Sequence, residues 1–71
     1  MSAPFWRVAE FGDFIVYERG AWAQRERLPR YVVLRNSDNR ALEEFRRRMS
    51  AVRWARQQAE AEAHARAMLA E

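Results

Sequence analysis

Residues 37–71, SDNRALEEFRRRMSAVRWARQQAEAEAHARAMLAE, decide the fold. The stretch contains no Gly and no Pro, and Ala recurs through it. Ser37, Asp38 and Asn39 open it with side-chain oxygens of the kind that accept the orphan N–H groups of a first helical turn. The reading is one helix over 38–70, roughly 50 Å long at about 1.5 Å per residue. Ala41, Leu42, Phe45, Met49 and Val52 fall on one face of that helix and suit a roof over a small sheet. Beyond Val52 the stripe continues as Ala59, Ala63, Ala67 and Ala70. A second weakly apolar line, Trp54, Ala61, Ala65 and Met68, runs on the opposite side. Residues 54–70 are therefore expected to overhang the sheet by roughly 25 Å. Glu43–Arg47, Glu44–Arg48 and Glu62–Arg66 are spaced as favourable i,i+4 pairs on that helix.

Working back towards the N-terminus, Phe5–Phe11 (FWRVAEF) and Phe14–Arg19 (FIVYER) are rich in aromatic and β-branched residues. Gly12-Asp13 between them is the pattern of a two-residue hairpin with Gly at the φ > 0 position of a type II′ turn. That register opposes Phe11 to Phe14, Ala9 to Val16, Arg7 to Glu18, Val8 to Tyr17 and Trp6 to Arg19. Gly20 ends the second strand, residues 20–29 form a connection that stops at Pro29, and Arg30–Arg35 (RYVVLR) reads as a third strand. The expected architecture is one α+β domain over 1–71. A small three-stranded antiparallel sheet (5–35) packs against the first half of one long C-terminal helix (38–70), whose distal half projects.

Composition narrows the function classes. Seventy-one residues make a core that rarely supplies more than ~3–5 kcal/mol without a staple. There is no Cys, so disulfides and thiolate metal sites are excluded. His64 is the sole histidine, and a zinc site built on it would need carboxylates alone beside it. Self-association is the staple that is left, and the helix offers Ala59, Ala63 and Ala67, with Ala61 and Ala65, as a small-residue seam for a homodimer. No apolar run is long enough for a membrane span. The N-terminal residues lack the basic start and apolar centre of a leader, so a cytoplasmic protein is expected.

Enzyme chemistry finds no footing. His64 is flanked by Ala. Glu43 and Glu44, or Glu60 and Glu62, lie one or two positions apart and cannot face each other on a helix. Ser50 has no base marked for it, and Gly12 and Gly20 do not form a phosphate-cradling loop. No cofactor, metal or small-molecule substrate is expected.

Binding chemistry is better represented. Every one of the 13 basic residues is Arg, and the net charge is +3. Arg46, Arg47 and Arg48, with Arg53 and Arg56, form a basic band on the expected helix. Three Trp stand in a short chain, and Trp and Arg dominate protein–protein hot spots. Trp54, Arg47, Arg53, Trp22 and Met68 are the candidate partner-binding residues. The expected partner is a protein; nucleic acid bound by the Arg band is the alternative. In length, single-domain economy and lack of chemistry the chain is similar to the small phage-encoded proteins that bind and block a host protein, anti-CRISPRs among them. That resemblance implies an inhibitor or adaptor whose exposed aromatic and Arg residues occlude a surface on a larger host protein. An antitoxin that wraps its toxin with a long helix follows the same logic.

Overall fold

The computed structural model describes residues 5–70; residues 1–4, part of the stretch read above for a leader, lie outside it, as does Glu71. Its elements in chain order are β1 (Phe5–Phe11), β2 (Phe14–Arg19), the single turn α1 (Trp22–Arg25), β3 (Tyr31–Arg35), β4 (Arg40–Phe45) and α2 (Arg48–Leu69). The strands form one antiparallel sheet in the order β1-β2-β3-β4. Helix α2 packs across one face of it. The protein is α+β with one long C-terminal helix, and it has four strands where the sequence suggested three.

The first hairpin forms around its expected turn. Gly12 has φ +56 and Asp13 keeps a negative φ, the pattern of a type II′ turn. Phe11 opposes Phe14 and Ala9 opposes Val16, as expected. The register then slips between Arg7 and Ala9, so Arg7 opposes Tyr17 and Trp6 opposes Glu18. The expected Arg7–Glu18 and Trp6–Arg19 pairs do not form. Arg7 pairs along its own strand with Glu10 at 3.4 Å. A one-residue slip exchanges the faces of every side chain beyond it. Trp6 thus joins the face that carries α2, and Phe5 moves to the outer face beside Tyr17.

Residues 40–45, RALEEF, correct the expected helix. Ala, Leu, Glu and Arg all favour helix, yet the segment is β4. The presumed capping residues build the β3–β4 turn instead. Ser37 Oγ donates to Asp13 Oδ2 at 2.7 Å, and the Asp38 carboxylate accepts the Arg40 N–H at 3.2 Å. Asn39 lies at φ +54, a left-handed conformation that Asn tolerates and that a right-handed helix cannot contain. Caps and turns draw on the same residue types because both need a side-chain oxygen near backbone N–H groups. Tertiary structure decides between them. Without β4, buried β3 would present unpaired backbone groups along one edge. With it, that edge is paired, and Leu42 and Phe45 pack against the core.

Moving 40–45 out of the helix changes the helix's phase. Arg47 is extended (φ −116, ψ 137) and α2 begins after it. The face turned to the sheet carries Ala51, Trp54, Ala55 and Ala59, spaced as one helical stripe. Ala51 and Ala55 are 0% exposed. Small residues let the helix lie close on Val16 and Val33, while Phe14 and Tyr31 supply bulk from the sheet. Trp54 therefore does not point away from the sheet. Its ring lies 5.9 Å from that of Phe45, and the indole is half-buried against the core. The expected overhang of residues 54–70 shrinks to about 64–69, where every residue is exposed. Among the described residues no helix is long and apolar enough to cross a membrane.

Candidate interaction surface

The connection between β2 and β3 is held by backbone hydrogen bonds, an arginine clamp and aromatic contacts. It starts at Gly20, which is buried. A Cβ there would stand 3.0 Å from Trp22 Cδ1 and 3.3 Å from Trp6 Cζ3. A side chain there would press both indoles back by a few tenths of an ångström, so Gly suits their closing over the end of β2. Trp22 then meets Phe5 edge-on at 6.0 Å, and Phe5 meets Tyr17 at 6.3 Å. These T-shaped contacts fix the aromatic end of the outer face.

Helix α1 closes with a Schellman pair of hydrogen bonds. Leu28 N–H donates to the Ala23 carbonyl at 2.9 Å, and Arg27 N–H donates to the Gln24 carbonyl at 3.1 Å. The residue between these donors' helix and the chain beyond must be left-handed, which is why Gly usually stands there. Here it is Arg27, at φ +58. A non-Gly residue in that conformation costs roughly 1–2 kcal/mol. The far side of the connection is clamped by Arg19. Its N–H donates to the Arg30 carbonyl and its guanidinium to the Pro29 carbonyl, each at 2.7 Å. The same guanidinium pairs with Glu44 of β4 at 3.1 Å.

So held, the connection displays a two-part surface. Trp6, 46% exposed, and Leu28, 38% exposed, line one depression of about 360 Å³ together with Ala21 and Arg30. Leu28 and Arg30 also line the neighbouring depression, which adds Arg27 and Arg46. Leu28 thus stands between an aromatic half and a cationic half. Arg30 pairs with Glu18 at 3.3 Å. Arg27 and Arg46 form no ion pair among the described residues.

Behind this surface Tyr31 sits buried in the core cluster. Burial raises its phenol pKa above the ordinary value of 10.0, and the hydrogen bond to Glu18 raises it further; Arg30 and Arg48 oppose the shift. A group whose folded pKa is raised contributes stability that is complete below its unfolded value. That stability is lost as pH rises through the folded value. Urea melts on either side of pH 10.0 should show the parent losing stability more steeply than Tyr31→Phe. Equal losses in the two proteins would remove Tyr31 from the alkaline limb.

The residues singled out in the sequence are dispersed by the fold. Trp54 lies on the core, and Trp22 is half-buried in the aromatic cluster beside Phe5. Arg47 is an exposed residue of the β4–α2 junction, and Arg53 is exposed on α2. Met68 lies in the last turns of the helix, about 30 Å along the axis from Arg48, so these five cannot form one surface. The basic band is divided as well. Arg46 and Arg47 precede α2, and Arg56 stacks over the Phe11 ring at 5.3 Å. Of the small-residue seam, Ala59 packs against the chain's own core, while Ala61, Ala63, Ala65 and Ala67 are exposed, Ala63 beside Gly12. Sequence reading passed over Trp6, Arg27, Leu28, Arg30 and Arg46 as a group. Only the run Arg27-Leu28-Pro29-Arg30, an apolar residue set between arginines in a loop, pointed to it.

The chain matches no family model, no curated protein and no solved structure.

Proposed function

We propose that the protein is a non-catalytic protein-binding module, a small inhibitor or adaptor that acts in the cytoplasm by occluding a surface on a larger protein. The observation that carries this reading is the exposure of Trp6 and Leu28 beside Arg27, Arg30 and Arg46. Exposed apolar surface gains roughly 25 cal/mol per Å² when a partner covers it. Trp and Arg are also the side chains on which protein interfaces concentrate their energy. The hydrogen bonds that hold the connection support the reading, since a surface ordered before binding loses less entropy on association.

Nucleic acid is the second reading, favoured by Arg46, Arg47 and Arg48, which form no ion pair among the described residues. Capture on the immobilised full chain separates the two. A protein should be retained through nuclease treatment and raised salt, and a Trp6→Ala/Leu28→Ala double variant should lose it. Retention of nucleic acid instead, falling steeply with salt, would contradict the protein-binding reading.

A further inference from the structure

We infer that the β2–β3 connection docks an acidic segment of the partner protein, seating one apolar side chain between Trp6 and Leu28 and its carboxylates on Arg27, Arg30 and Arg46. The inference rests on the protein-binding reading and deepens it. Charge complementarity selects the occupant. The cationic half gathers three arginines around one depression, and among the described residues only Arg30 of the three has a carboxylate of its own. Guanidinium forks match carboxylates with two parallel hydrogen bonds. The aromatic half adds a demand that a sugar-phosphate backbone does not meet. Leu28 is aliphatic, is exposed, and stands where the two halves join.

Arg27 supplies an independent line of support. Its backbone adopts the left-handed conformation at a helix C-terminus where Gly is the unstrained choice. The side chain so displayed opens onto the cationic depression. Strain held at one residue, whose side chain forms no ion pair among the described residues, marks a position whose side chain has a use. It also provides a variant in which stability and binding move in opposite directions.

The test begins with selection from a random-peptide display library on the immobilised full chain. Enriched peptides should carry several Asp or Glu around one large apolar residue. Fluorescence anisotropy with a synthesised enriched peptide should then show Leu28→Asp and Arg46→Glu weakening binding by about tenfold or more, the loss typical of hot-spot residues. Arg27→Gly should weaken binding too while melting at or above the parent temperature. Enriched peptides without acidic bias would overturn the inference. So would binding that ignores these three variants and falls with Arg53→Glu on α2; that result would move the site and leave the protein-binding reading standing. If no peptide enriches and an oligothymidine binds through Arg46, both readings fail. Sedimentation that shows self-association abolished by Leu28→Asp would assign the surface to a second copy and overturn the acidic-partner inference.

Discussion

Trp54→Ala is expected to remove most of the protein's stability. The indole belongs to the partly buried shell of the core and lies 5.9 Å from the Phe45 ring. Truncating a large aromatic in a core costs ~3–5 kcal/mol. Half-burial places this residue at the lower end, about 3 kcal/mol, against a total of only ~3–5 kcal/mol for an unstapled core of this size. The loss acts on two elements at once. Phe45 and Leu42 are the side chains by which β4 holds to the core, and the indole is what α2 sets against Phe45. Trp54→Phe should recover much of the loss, because a ring still faces Phe45. Urea denaturation followed by circular dichroism checks both variants. A Trp54→Ala protein that melts with the parent would place the indole in solvent.

Ala55→Leu should be nearly as damaging, for the opposite reason. Ala55 is 0% exposed and belongs to the cluster that includes Val16 and Val33. Three added carbons have no space to occupy. The helix must lift from the sheet or tilt, and overpacking of that kind costs typically 1–3 kcal/mol. Ala61→Leu makes the same chemical change at an exposed position of the same helix and should stay within about 0.5 kcal/mol of the parent. Leu and Ala differ little in helix propensity, so the contrast between the two variants reads packing alone. Equal effects, or a larger effect at position 61, would mean that the helix presents a different face.

The two expectations expose what the sequence could and could not convey. The Gly12-Asp13 turn, strands β1, β2 and β3, and the existence of the C-terminal helix were all legible, because each rests on local chemistry. The slip at Val8 was not. It trades an expected Arg7–Glu18 pair, worth a fraction of a kcal/mol on an exposed edge, for Val8 packed against the core. Leu42 makes the same exchange on the other edge strand, where the register shifts between Val33 and Leu34. Irregular pairing on both edges also blunts them against pairing with other chains.

The larger miss was β4. Arg40, Ala41, Leu42, Glu43 and Glu44 are good helix formers, and only the unpaired side of β3 overrides them. Phase followed from that one segment. Counting the helical stripe from Leu42 and Phe45 turned Trp54 outwards, whereas counting from Ala51 and Ala55 turns it inwards. Glu43 and Glu44 likewise do not pair along a helix with Arg47 and Arg48; Glu44 pairs instead with Arg19, across the sheet, at 3.1 Å. The Glu62–Arg66 pair, which lies in the true helix, forms at 2.8 Å.

The interaction surface was least legible because two of its parts depend on those errors. Trp6 reaches its place through the slip at Val8. Arg46 meets Arg27 and Arg30 only because β4 returns the chain to the end of the sheet where the β2–β3 connection lies. Read as part of a helix that starts at Asp38, Arg46 would belong to a continuous basic band and face no loop at all.

Strand pairing at 40–45 therefore carries both the fold and the proposed surface, and nuclear Overhauser contacts in the full chain test it most directly. Cross-strand contacts should join Tyr31 to Phe45 and Val32 to Glu44, the Phe45 ring should contact Trp54, and helical i,i+3 contacts should begin only at Arg48. An unbroken helical pattern from Asp38 through Arg47, with Phe45 against Met49 and no contact to β3, would contradict the account.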